Sequence, residues 1–277
     1  MFSITTLTIA GSDCCSGAGI QADIKTMSAL GVYAASVITA ITVQDTRKVY
    51  SVCAVQPQIV AEQIRCVIED LSPQYAKIGM INDEATITAI CDVLDSYPIP
   101  HLIVDPIMVS SSGMLLMQKE ALETFCNRLL PKSYLLTPNI PEAEILADMS
   151  IHSSDDIREA SRRIMNKTHQ STLIKGGHLI NEKKTDYLFY KSPDKSVKEY
   201  TFSRDMVHTR NTHGTGCTLS SAITAYLARG KELPEAVRLA KEYTYNAMIE
   251  GSDLTIGHGT GPLNHFFAPE KLIKIPE

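Results

Sequence analysis

No run of lysines and arginines occurs in the 277 residues, and the formal net charge is −5. A nucleic-acid groove or an anionic membrane surface needs clustered positive charge, so neither is an expected partner, and small molecules are. The opening segment MFSITTLTIAGS has no basic flank and too short an apolar run to span a bilayer. It therefore reads neither as a secretory leader nor as a membrane helix, and the cytoplasm is the expected compartment. The seven cysteines, at 14, 15, 53, 66, 91, 126 and 217, have no C-x-x-C spacing. Their number is odd, so neither a zinc site nor a disulfide framework is indicated, and mostly reduced, buried thiols are expected. G-K-[ST] is also absent, which removes a Walker-type phosphate loop. No internal repeat or low-complexity tract interrupts the chain. With 44% hydrophobic residues it can bury a full core, and one α/β domain over 1–277 is expected.

Strand-like and helix-like runs alternate. ITTLTIAGS reads as a buried strand, and Ile20, Ile24, Met27 and Leu30 recur at helical spacing until Gly31. AASVITAITVQ is a strand, and Pro57 opens a helix with Val60, Ile64, Val67, Ile68 and Leu71 on one face. YAKIGMI, HLIVDPIMV, SYLLTPN and STLIKGGH continue the strands. Between them come a helix capped by Asp83, the helix KEALETFCNRLL, and the pair PEAEILADM and SSDDIREASRRIMNKT. TDYLFYK and KEYTFSR around SPDKS read as a β-hairpin extension. This order predicts a mostly parallel central sheet with helices on both faces and ligands at the carboxyl ends of its strands.

Three motifs fall at those ends. Gly17, Gly19 and Ala22 fit G-x-G-x-x-A, yet the turn before them is long and no acid follows at the distance a ribose needs, which speaks against a dinucleotide site. Asp105, Asn139 and Glu142 put hard oxygen groups at neighbouring strand ends. They suit either a hydrated Mg²⁺ bridging nucleotide phosphates or plain helix capping, and the sequence leaves both readings open. In NTHGTGCTLSSAITAYLARG, glycines precede a helix whose free N–H groups would face an anion, and the same dipoles should lower the pKa of Cys217. The five-residue spacing of His208 and His213 is no metal motif.

TIAGSD, SGAGIQADIKT, VITAITVQDT, KIGM, VDPIMV, LLTPNIPEAE, IKGGH and RNTHGTGCTLSSAI occur in order along nearly the whole chain. In this the chain resembles the hydroxymethylpyrimidine/phosphomethylpyrimidine kinases of the ribokinase-like superfamily. The resemblance implies a ribokinase-like three-layer fold, ATP and Mg²⁺ as cofactors, and a homodimer. It also implies two successive phosphorylations, of 4-amino-5-hydroxymethyl-2-methylpyrimidine and then of its monophosphate. By the same resemblance Gly11, Asp23, Gln44, Met80 and Ile107 surround the pyrimidine. Asp105 and Glu142 take the metal, Asn139 and Lys175 serve the nucleotide side, and Gly214, Thr215, Gly216 and Cys217 form the catalytic turn, with Cys217 as expected general base. Physically, a Gln amide can read a ring nitrogen beside an exocyclic amine, and a Met thioether can cover a flat ring. Departures from the family pattern are Cys14–Cys15 in the first loop, read as inert fillers, and Ser110, Ser111 and Ser112 where many relatives place a lysine. A pyridoxal kinase and a catalytically silent pyrimidine-binding regulator are the alternatives.

Overall fold

Alternation along the first long strand sets the layers. The computed structural model describes residues 2–108, 116–118, 120–176 and 183–275. Short β1 (Phe2–Ser3) precedes β2 (Thr5–Asp13), whose Leu7 and Ile9 enter one core. Thr6 and Thr8 face the other way, onto α1 (Gly19–Ala29), where their hydroxyls meet the Met27 sulfur at 3.2 Å and the Asp23 carboxylate at 2.6 Å. The chain continues through β3 (Tyr33–Gln44), β4 (Val49–Ala54), α2 (Pro57–Leu71), β5 (Tyr75–Ile78), α3 (Glu84–Ser96), β6 (His101–Val104) and the short α4 (Ala121–Thr124). Then follow β7 (Leu135–Leu136), α5 (Ile140–Ala147), α6 (Ser154–Thr168), β8 (Ser171–Lys175), β9 (Lys183–Lys191), β10 (Val197–Asp205), α7 (Thr215–Ala228), α8 (Leu233–Ile249) and β11 (Lys274–Ile275).

Nine strands form one sheet in the order β10-β9-β8-β7-β6-β5-β2-β3-β4, and β1 pairs separately with β11. The six strands from β8 to β3 run parallel, while β4 and the β9–β10 hairpin close the two sides antiparallel. One face is covered by α2, α3, α5 and α6, the other by α1, α7 and α8, each over its own hydrophobic cluster. This is the expected three-layer arrangement. The connection from β3–β4 back to β5 reverses direction across β2, so the sheet has its switch point beside β2, where a crevice opens at the carboxyl ends.

Some elements differ from the sequence reading. The helix expected over KEALETFCNRLL is one turn of α4 followed by a π turn (Phe125–Leu129) and a 3-10 turn (Leu130–Lys132), because Pro131 has no N–H to continue it. Strands expected over 101–109 and 133–139 shorten to His101–Val104 and Leu135–Leu136, since Pro106 and Pro138 remove ladder donors. β4 is unassigned in the sequence reading because its side chains are mostly exposed and show no buried alternation. α8 is unassigned as well, although Leu233, Ala236, Val237, Ala240, Tyr243 and Ala247 mark its buried face.

Candidate active site

The parallel strands deliver Asp13, Gln44, Met80, Asp105, Asn139 and Lys175 to one edge, directly after or at the ends of β2, β3, β5, β6, β7 and β8. Two cavities lie there. The first, about 320 Å³, is lined by Gly11, Gln44, Met80, Ile107 and Cys217 among others. The second, about 500 Å³, lies over α7 and α8 and is lined by Lys184, Arg204, Thr215, Leu219 and Tyr245 among others. Both volumes fall in the range of small-ligand sites. Asn139, Lys175 and Gly216 line both cavities, so these meet at the glycine turn.

Its two glycines differ in how tightly they are held. Gly214 caps α7 in the left-handed region (φ 82°), and a Cβ there would lie 1.8 Å from the Gly17 carbonyl oxygen, so the first loop packs directly on the turn. At Gly216 a Cβ would stand 3.5 Å from both Asp105 Oδ2 and Lys175 Nζ, ordinary contact distance, so this position adjoins that ion pair. No side chain caps α7; the Thr215 amide donates back to the Thr212 carbonyl at 3.3 Å, and the Gly216 and Cys217 amides follow at the helix start, beside the junction of the cavities.

Cys217 corrects an expectation. Burial pushes its thiol up to about 11, and the Asp23 and Asp105 carboxylates add to this, outweighing Lys77 and the Gly19 amide. The helix dipole therefore does not hold a thiolate here, because the side chain is nearly dry and faces two anions.

Lys175 Nζ lies 2.7 Å from Asp105 Oδ1, which also accepts from Thr137 at 3.0 Å. Burial alone would raise the Asp105 carboxyl, but Lys175, Lys77 and Thr137 hold it below its ordinary value. Glu142 behaves oppositely. Burial, together with the Asp105 charge, pushes it up to about 7 despite Lys175 and its amide partners. Asn139 and Glu142 form a full capping box: Glu142 N–H donates to Asn139 Oδ1 at 2.9 Å, and Asn139 N–H to Glu142 Oε2 at 2.8 Å. Both residues also line the first cavity, so capping and site lining coexist.

Asp23 is a second correction. It is fully buried and lines neither cavity. Its oxygens accept from Lys77 at 2.9 Å, Thr8 at 2.6 Å and Ser221 at 2.7 Å, which ties α1, β5, β2 and α7 together. Gly11, Gln44, Met80 and Ile107 do converge on the first cavity, and a Cβ on Gly11 would come within 3.2 Å of the Met80 methyl. Thr215 faces the second cavity only.

Sequence reasoning missed Asp13, Lys77 and the role of His213. Asp13 accepts from the amides of Cys15, Gly17 and Ala18 at 2.8, 3.0 and 2.8 Å, and from His213 Nε2 at 2.8 Å. Burial would raise its carboxyl, but His213 and the Ala18 amide lower it on balance. The loop amides that a dinucleotide pyrophosphate would need are thus already taken by a carboxylate of the protein itself. The signal available in the sequence was an acid directly before that loop. Residues 109–115, with Ser110, Ser111 and Ser112, lie outside the described residues, as do Gly177 and His178.

Among the described residues no group of three or more His, Cys, Asp or Glu could hold a metal ion unaided. The donor set still fits Mg²⁺. Asp105 and Glu142 are hard oxygen donors that line the first cavity together. Mg²⁺ commonly takes only one or two carboxylates and completes its shell with water and phosphate.

Residues 13–264 match the family model described as phosphomethylpyrimidine kinase. The chain is 40% identical over 269 residues to the hydroxymethylpyrimidine/phosphomethylpyrimidine kinase of Escherichia coli, covering 97% of this chain and 99% of that protein. It is 42% identical over 264 residues to the thiamine biosynthesis bifunctional protein ThiED of Geobacter sulfurreducens, covering 95% of this chain and spanning only 52% of that protein. Among solved structures, phosphomethylpyrimidine kinase from Clostridium difficile matches at 44% identity and TM-score 0.77, covering 88% of this chain and 99% of that one. Pyridoxal kinase from Staphylococcus aureus, in complex with AMP-PCP and pyridoxal, matches at 31% identity and TM-score 0.83, covering 95% and 93%.

Proposed function

This chain belongs to the phosphomethylpyrimidine kinase family, and from that premise we propose how its two cavities divide the work. It is an ATP-dependent phosphotransferase acting on hydroxymethylpyrimidine and phosphomethylpyrimidine in thiamine biosynthesis. The observation that carries the reading is the meeting of two cavities at Gly216 and Lys175. Acceptor and donor can then approach from opposite sides of one set of amides.

In this reading 4-amino-5-hydroxymethyl-2-methylpyrimidine, and afterwards its monophosphate, occupies the first cavity. The Gln44 amide reads the ring edge, Met80 covers the ring beside Gly11, and Ile107 lines it. ATP occupies the second cavity, with Asn139 and Thr215 on its wall. Mg²⁺, held by Asp105 and Glu142, supplies neutralisation of phosphate charge when bound. Lys175 and the amides of Gly216 and Cys217 stabilise charge on the transferring phosphoryl group, because they are fixed before it arrives. Cys217 starts as a protonated thiol, so the turn rather than a resident thiolate carries most of the effect.

Residues 1–277 are read as one kinase domain, supported by the continuous nine-stranded sheet. A homodimer is part of the proposal: Ile41, Val43 and Tyr50 are exposed on the β3–β4 ribbon at a sheet edge. Sedimentation of Val43→Asp, expected as monomer against a parent dimer, tests it. No described helix is long and apolar enough to cross a membrane. Placement in the cytoplasm belongs to the proposal and is tested by fractionation. The likeness to the pyridoxal kinase keeps a pyridine acceptor as the second reading, ranked lower because identity is 31% there against 40% for the pyrimidine enzyme. An ADP-release assay with the hydroxymethylpyrimidine, its monophosphate and pyridoxal as acceptors decides. Turnover of both pyrimidines in preference to pyridoxal is expected, and preference for pyridoxal would overturn the assignment.

A further inference from the structure

The first loop carries two thiols that the phosphotransfer does not use. Cys14 and Cys15 hold the central positions of a turn closed by the Ser16 amide, which donates to the Asp13 carbonyl at 2.8 Å. Adjacent side chains on an extended strand would point to opposite sides. Here both thiols meet one acceptor, the Gln44 carbonyl, at 3.1 Å from Cys14 Sγ and 3.4 Å from Cys15 Sγ. A shared acceptor places both sulfurs on the same side of the turn, around one carbonyl oxygen. The turn is held in this form, since Asp13 takes the Cys15, Gly17 and Ala18 amides and is itself bound by His213.

Access and position give the pair a consequence. Both cysteines are free, Cys14 is exposed and Cys15 is partly exposed, while Asp13 and Gln44 line the first cavity. No third His, Cys, Asp or Glu completes a metal-binding group with them among the described residues. The pair therefore suits a soft, thiophilic ligand that is satisfied by two protein sulfurs and brings its own remaining substituent.

We propose that Cys14 and Cys15 form a dithiol site for monosubstituted trivalent arsenicals at the rim of the first cavity, and that its occupation obstructs the acceptor side. The reaction is a condensation without electron transfer. Two S–H and the arsenic–oxygen bonds break, two As–S bonds form, arsenic stays trivalent, and the oxide oxygen leaves as water with both thiol protons. The Gln44 carbonyl loses both donors, and the organic substituent is placed beside the cavity mouth.

Phenylarsine oxide is the probe, added to the full chain and followed by intact mass, a readout independent of the kinase assignment. One adduct per chain is expected, stable to a monothiol wash and released by a vicinal dithiol. Cys14→Ser and Cys15→Ser should each abolish it, and Cys53→Ser should keep it. Under saturating probe the apparent KM for the pyrimidine should rise roughly tenfold, the equivalent of about one lost hydrogen bond, with the KM for ATP unchanged. An adduct that survives in the Cys14→Ser/Cys15→Ser double variant, one lost in Cys53→Ser, or one that a monothiol removes as readily as a dithiol would overturn the site. Capture with an unchanged pyrimidine KM would overturn the obstruction.

Discussion

Two of the buried lysine–carboxylate pairs among the described residues, Lys77–Asp23 and Lys175–Asp105, differ in what surrounds them. Lys77 and Asp23 are both fully inaccessible, and every Asp23 oxygen is engaged by Lys77 together with Thr8 or Ser221. Lys175 and Asp105 are 16% and 1% exposed, Lys175 lines both cavities, and Asp105 Oδ2 has only a 3.4 Å contact from Ser220. The same two charges therefore hold four elements together in one place and wait for a ligand in the other. What separates them is access and unfilled bonding capacity, not residue type.

The sharpest test of that contrast is Lys77→Met, which leaves Asp23 buried and unpaired. Urea unfolding should show a loss of about 3–5 kcal/mol, and Lys77→Met/Asp23→Leu should regain much of it. A single variant as stable as the parent would erase the contrast. Lys175→Met should lower kcat by about 10²–10³, the size of losing one preorganised donor, with a smaller loss of stability than Lys77→Met because Lys77 and Thr137 still face Asp105. If stability falls as far as in Lys77→Met and turnover survives, the second pair is structural too.

Cys217→Ser probes the space between the pairs. A general base would cost roughly 10² or more in kcat, and a protonated lining thiol less, so turnover measured from pH 7 to 9 should fall by less than that and show no thiol-dependent limb. A loss beyond it, rescued by Cys217→Asp, would restore the base role. The smallest effect concerns Glu142 in metal-free, nucleotide-free protein. Its carboxyl is held up at about 7 when folded, against 4.5 unperturbed. Between those values the folded chain keeps a proton that the unfolded chain has released, so this group's favourable contribution is complete below pH 4.5 and is lost as pH rises to about 7. The stability difference between parent and Glu142→Gln should slope in that window and be flat above it. A flat difference throughout would show that Glu142 is already ionised.

The comparison also marks what was legible in the sequence. Alternating patterns gave the layered fold, and strand-end motifs drew out Asp105, Asn139, Glu142 and the glycine turn, because position along a strand fixes which edge a residue reaches; Gln44 came from the family resemblance and lines the same cavity. Asp23 was misplaced because the family resemblance carries over a position and not its partners, and here the carboxylate meets Lys77, Thr8 and Ser221 inside the core. Lys77 went unread inside a short apolar strand. The thiol state of Cys217 depends on desolvation and on two carboxylates from distant segments, which no local pattern encodes.

The contacts that join the first loop and α1 to the glycine turn and α7 have a consequence for the order in which the molecule is made. His213 meets Asp13 across 200 positions of chain, and Ser221 meets Asp23 across 198. A growing polypeptide can lay β2, β3 and the middle strands side by side long before either contact exists. Closing so long a loop comes late, and only after α7 has emerged to supply the other half. Until then the Asp13 turn has neither His213 nor the Gly214 backbone to lean on, and Lys77 and Asp23 lack the Ser221 hydroxyl. The first loop and the buried Asp23 cluster thus reach their final form only after α7 has been made, which ties completion of the site to completion of the core.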